Sequence, residues 1–120
     1  MAIVELNEQN LDQTLSENDI VILDFWAPWC GPCRQFGPIF EATSNEVEGV
    51  VFGKINTDEE QQIAAAAGIS SIPTVMVFRE QIPVFRQSGA LPAAALKDVL
   101  EQVKNLNMDE VRAQIEAQDN

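Results

Sequence analysis

Cys30-Gly31-Pro32-Cys33, with Trp29 directly before it, is where residue type and spacing in this 120-residue chain point first to chemistry. These are its only two cysteines. Two intervening residues let a pair of thiols close into a disulfide and reopen with little backbone movement. The run before the pair, Ile20 to Trp26, reads as a buried strand, and the run after it reads as a helix. A dithiol at a strand-to-helix junction is expected to be a redox centre. A static structural disulfide and half of a zinc site are the blander readings. The second is short of ligands, because the chain has no histidine and no second cysteine pair, so carboxylates or another subunit would have to complete it. Asp24 is the next residue of interest. It breaks an otherwise apolar strand, and a carboxylate there must be satisfied or protonated. Burial would raise its pKa, whereas a partly exposed aspartate at a strand end would have no catalytic role.

The elements that must position these groups follow from hydrophobic period and breakers. Residues 3–6 read as a short strand, and residues 8–17 as a helix with Leu11 and Leu15 at helical spacing. Residues 20–26 have the near-continuous apolar character of a central parallel strand buried on both faces. Residues 31–47 read as a helix interrupted by Pro38, which should kink it. Val50 to Asn56 is the next strand. Glu59 to Ala67 reads as a helix whose acidic start suits the positive end of its dipole and which stops at Gly68. Thr74 to Phe78 and Val84 to Gln87 read as paired strands. Residues 92–106 read as a closing helix with Pro92 at its start and Leu96, Val99, Leu100 and Val103 on one face. The order βαβαβαββα predicts an α/β fold: early parallel pairing through helical crossovers, then an antiparallel edge. Between Phe78 and Val84, Arg79-Glu80-Gln81-Ile82-Pro83 has no glycine. A type I turn needs none, so the missing glycine bears on the local hairpin geometry and not on the fold, and Pro83 should lie at a sheet edge. Met108 to Gln118 reads as a further helical segment capped by Asn107 or Asp109.

A formal net charge of −12 argues against nucleic acid or an anionic membrane as partner and favours basic patches on other proteins. No apolar run approaches the roughly 20 residues that span a bilayer. The first residues lack a basic stretch followed by an apolar one, so no signal peptide is expected and the cytoplasm is the simplest compartment. In that compartment a Cys-x-x-Cys pair is expected to be catalytic rather than structural.

The stretch Asp24-Phe25-Trp26-Ala27-Pro28-Trp29-Cys30-Gly31-Pro32-Cys33 closely resembles the active site of the thioredoxin family. Ile72-Pro73-Thr74 resembles that family's cis-proline loop, and Gly89-Ala90-Leu91 its neighbouring glycine segment. Order and spacing match over roughly residues 3 to 106. The resemblance implies a thioredoxin fold: a mixed sheet of about five strands flanked by helices, with residues 1–106 as the domain and 107–120 as a helical extension. It implies a protein-disulfide reductase in which Cys30 attacks a substrate disulfide and Cys33 resolves the mixed disulfide. Cys33 would lie one turn further in and more buried. Asp24 would help Cys33 lose its proton. Lys54 resembles the lysine near that aspartate, although a solvated lysine at a strand end would look the same. Gly31 and Pro32 would tune the redox poise toward reduction, since oxidants and isomerases of the family usually carry a histidine there. The Ile72–Pro73 bond would be cis. Trp29, Ile72, Pro73, Thr74, Gly89 and Ala90 would form the substrate-docking surface, with Trp26 beneath it. Ser88 stands where the family commonly has an apolar residue beside that groove.

The same resemblance implies no metal and no bound cofactor beyond the redox-active Cys30–Cys33 disulfide. NADPH would be used indirectly, through thioredoxin reductase. That reductase and disulfide-containing proteins would be the partners of a monomer. Two rival functions are a disulfide oxidase or isomerase in an oxidising compartment, and a binding module or clamp that needs neither cysteine.

Overall fold

The computed structural model describes residues 3–118, so the outermost residues of the expected 1–106 and 107–120 segments lie outside it. Chain order among the described residues is β1 (Ile3–Glu5), α1 (Leu11–Glu17), β2 (Ile20–Trp26), α2 (Gly31–Glu46), β3 (Val51–Asn56), α3 (Gln61–Ala66), β4 (Thr74–Arg79), β5 (Ile82–Ser88), α4 (Ala93–Lys104) and α5 (Met108–Gln118). The strands form one sheet in the order β1-β3-β2-β4-β5. β1, β3 and β2 are parallel, β4 is antiparallel to β2, and β5 is antiparallel to β4. Antiparallel pairing therefore begins at the central strand, one strand before the edge.

β2 is central because its apolar run can be buried on both sides, and Ile20 through Phe25 are all buried. Strand alternation sends Ile20 and Ile22 to one face, where they meet Phe36 and Phe40 of α2 and Leu96, Leu100 and Val103 of α4. It sends Val21, Leu23 and Phe25 to the other, where Leu11 and Leu15 of α1 and Ile63 of α3 cover them. Asp24 and Trp26 belong by the same alternation to the α2 face.

Several local expectations change. α1 starts at Leu11 rather than residue 8, because the Asn7 side chain accepts the N–H groups of Gln9 and Asn10 and folds residues 7–10 into a turn. Pro38 does not interrupt α2, which runs as one helix from Gly31 to Glu46. Proline forfeits one intrahelical bond, and the burial of Phe36 and Phe40 on either side outweighs it. α3 begins at Gln61, so Glu59 and Glu60 precede its first turn instead of filling it. The β4–β5 turn is not type I. Glu80 and Gln81 have φ of 52° and 70°, the left-handed pair of a primed hairpin turn, whose twist matches that of the flanking strands. Neighbours hold it there: the Glu80 N–H donates to the Asp19 carbonyl at 2.8 Å, and the Glu80 carboxylate pairs with Arg112 of α5. Pro83 lies on the edge strand β5, as expected, beside a register shift at Val77/Phe78.

α4 ends against Arg79, whose Nη1 donates to the carbonyls of Val103, Lys104 and Leu106 at 2.8, 3.2 and 2.9 Å. α5 follows, with Asn107 Oδ1 accepting the Glu110 N–H and Met108 buried. Among the described residues no helix is long and apolar enough to cross a membrane.

Candidate active site

β2 delivers Asp24 and Trp26 beneath the point where α2 begins, and the short connection 27–30 brings Cys30 to the helix N-terminus. Cys30 is the N-cap residue, with extended backbone at φ −84° and ψ 113°, and its Sγ accepts the Cys33 N–H at 3.2 Å. Sulfur here does what a serine oxygen does at other helix starts. Pro32 sits in the first turn, where its missing N–H costs little. Cys30 and Cys33 are joined as a disulfide with Cα atoms 5.2 Å apart. Their burial is almost equal, at 5% and 4% exposure, so Cys33 is not set apart by depth as expected. The two differ in what they face. Cys30 Sγ lies 3.7 Å from the carbonyl oxygen of Ile72, whereas Cys33 lines an inner cleft of about 390 Å³ with Trp26, Arg34, Glu41 and Lys54. Once reduced, a thiol at Cys30 would meet the unpaired N–H groups and positive dipole end of α2, which favour the thiolate.

Asp24 is fully buried, and neither of its oxygens has a hydrogen-bond partner among the described residues. Burial pushes its carboxyl from an ordinary 3.8 up to about 7, while the charge of Lys54 pulls the other way. Asp24 and Lys54 are register partners on β2 and β3. The lysine ammonium does not close onto the carboxylate; it lies 4.4 Å from the centre of the Trp26 ring.

On the other side of the disulfide, Ile72–Pro73 is cis, as expected. Thr74 is buried and its hydroxyl donates to the Ser71 carbonyl at 2.7 Å, so its side chain shapes the loop rather than facing outward. Gly89 takes φ +93°, a conformation that suits glycine, and its N–H donates to the Pro73 carbonyl at 2.8 Å. That bond ties the glycine segment, with exposed Gly89 and Ala90, to the proline loop. Ser88 ends β5, exposed and opposite Thr74.

Trp29 stands at the rim with 67% of its surface exposed. Its indole N–H donates to the Asp58 carboxylate, at 3.0 Å to the nearer oxygen. Asp58 was not singled out by the sequence. Asn56-Thr57-Asp58 after a strand does read as a polar turn, and Asn56 Oδ1 does accept the Asp58 and Glu59 N–H groups. Nothing in that pattern names a partner 29 residues away. Arg34, also unassigned beforehand, donates to the Pro28 carbonyl at 3.0 Å and so ties the helix back to the loop that precedes Cys30. Among the described residues no three or more His, Cys, Asp or Glu side chains are grouped to hold a metal ion.

The sequence profile of the family described as Thioredoxin matches residues 2–102. A Streptomyces coelicolor protein assigned as thioredoxin 2 is 53% identical over 115 residues, covering 96% of this chain and 86% of that protein. A thioredoxin of Porphyra purpurea is 41% identical, covering 83% of this chain and 95% of its own. Among solved structures, a mutant thioredoxin from Halobacterium salinarum superposes with a TM-score of 0.82 at 33% identity, covering 88% of this chain and 93% of that one.

Proposed function

The chain belongs to the thioredoxin family, and from that premise we propose how its residues divide the work. It is a thiol–disulfide oxidoreductase with disulfide-reductase function, and its redox centre is the Cys30–Cys33 disulfide. In the proposed cycle the reduced Cys30 thiolate attacks one sulfur of a substrate disulfide. The substrate S–S bond breaks, its other sulfur leaves as a thiolate and takes up a proton, and a mixed disulfide with Cys30 forms. Cys33 then gives its proton to Asp24 and attacks Cys30. The Cys30–Cys33 bond closes, the second substrate sulfur leaves reduced, and an electron pair has passed to the substrate. Lys54 biases the charge on Asp24. Gly31 and Pro32 keep the loop accessible and its poise reducing. Trp29, Ile72, Pro73, Thr74, Gly89 and Ala90 present or shape the docking surface, and the Ile72 backbone pairs with an extended substrate. Such pairing is tolerant of sequence and suits a general reductase.

The observation that carries this reading is the buried, unpartnered Asp24 on the sheet face beneath a disulfide that caps α2. The catalytic unit is assigned to residues 1–106, with 107–120 an appended segment. In this proposal it works in the cytoplasm as a monomer and is re-reduced by an NADPH-dependent thioredoxin reductase. Three measurements test the redox reading. Cys30→Ser should abolish turnover and Cys33→Ser should accumulate mixed disulfides with substrate proteins; absence of trapped adducts would refute the division of roles. The Cys30–Cys33 potential should lie near about −270 mV, the established figure for thioredoxins. A value of roughly −180 to −120 mV would instead place the protein with isomerases and oxidants.

A further inference from the structure

Two tryptophans flank the disulfide, and they are held in different ways. Trp29 is anchored by its N–H on Asp58. The Trp26 N–H is buried with no acceptor among the described residues, so hydrogen bonding does not orient that ring. Its face carries the Lys54 ammonium, 4.4 Å from the ring centre, a cation–π distance. A Cβ placed on Gly37 would lie 3.7 Å from the same Nζ, so the α2 backbone closes the cation in from another side. The cleft that holds it is also lined by Cys33, Arg34 and Glu41 of α2, with Ile3 of β1 at its edge. Among the described residues, Glu5 of β1 and Asp24 of β2 flank Lys54 in register.

A lysine side chain has freedom enough to leave a half-buried cleft for water. Here the ring keeps the charge inside, near Asp24 but not on it. We infer that Trp26 is a positioning residue: its indole face fixes the Lys54 ammonium in the cleft beside Asp24 and so sets the proton affinity of the group that serves Cys33. The inference rests on the proposed role of Asp24. A contact ion pair would favour the ionised carboxylate strongly, and a lysine released to solvent would leave burial almost unopposed. The ring selects the intermediate arrangement, in which Asp24 can both take and return a proton near neutral pH.

The test is the titration of Asp24 itself, followed by its carboxyl carbon resonance in the reduced full chain. Trp26→Leu should raise the Asp24 midpoint by roughly half a pH unit, as expected for partial loss of a nearby charge. Trp26→Phe, which keeps a weaker π face, should raise it less, and Lys54→Arg should leave it close to its starting value. In a Lys54→Gln background, where the midpoint is already raised, Trp26→Leu should add nothing. An unchanged or lowered midpoint in Trp26→Leu, or an equal shift with and without Lys54, would overturn the inference. If Trp26→Leu does not fold, the same comparison made with Trp26→Phe decides it. Because Asp24 is read directly, the result is separable from the proposed mechanism. That mechanism fails instead if Asp24→Asn leaves the pH dependence of mixed-disulfide resolution unchanged.

Discussion

A carboxyl with its proton affinity near 7 in the folded chain and near 3.8 when exposed links the redox site to folding stability. Below the unfolded value both states hold the proton and Asp24 costs nothing. Between the two values the unfolded chain has lost its proton while the folded chain keeps it, so stability falls as pH rises. Above about 7 the folded protein carries a buried charge and the loss is complete. Asp24→Asn should therefore be more stable than the parent, with the difference growing from pH 4 to 7 and reaching at most about 4 kcal/mol. Urea unfolding across that range checks it, and a constant difference would mean that ionisation is not the cause. The same substitution should slow resolution of mixed disulfides, stability and function being opposed at one side chain. Asp24 was legible because a single acid in an apolar strand is a local anomaly. The Trp29–Asp58 bond and the Trp26–Lys54 stack were not, because each joins residues that only the folded sheet brings together.

Strands and helices followed from their apolar periods, and the misjudged boundaries lie where a side chain competes with the backbone. Asn7 delays α1, and Arg79 takes the last carbonyls of α4. The geometry of the β4–β5 turn was not legible for a related reason. Turn type there is set by strand twist and by the grip of Asp19 and Arg112, not by the preferences of Glu80 and Gln81. Gln81→Gly should remove the cost of a left-handed non-glycine residue and stabilise the protein by about 1 kcal/mol. No gain in urea midpoint would show that the turn is already relaxed. Gly53 makes the opposite case. A Cβ on this β3 residue would collide with the Leu6 side chain, itself buried, and would touch Leu23. Gly53→Ala should destabilise by about 1–3 kcal/mol through overpacking, read in the same unfolding experiment. Leu6→Ala should relieve part of that penalty if the collision is the cause.

Taken together, the elements set two poles on one sheet. The disulfide, the proline loop and Gly89 lie at the Trp26 and Thr74 ends of β2 and β4. Arg79, Glu80 and α5 lie at the other end, because Ile20 pairs with Arg79. α5 is held by buried Met108 and by the exposed Arg112–Glu80 pair, of which the apolar contact is worth more. Removing residues 107–120 should lower stability by about 2 kcal/mol and leave reductase turnover unchanged. A loss of turnover without unfolding would make the segment a partner-docking helix instead. The length of β4 puts ~20 Å between the turn that α5 grips and the loop that meets substrate. A linker, an electrode surface or a second protein joined at the Glu80–Gln81 turn would thus be fastened at the pole away from the reactive sulfurs. Immobilised by that end, the molecule would still meet donor and acceptor in turn, as a tethered electron relay.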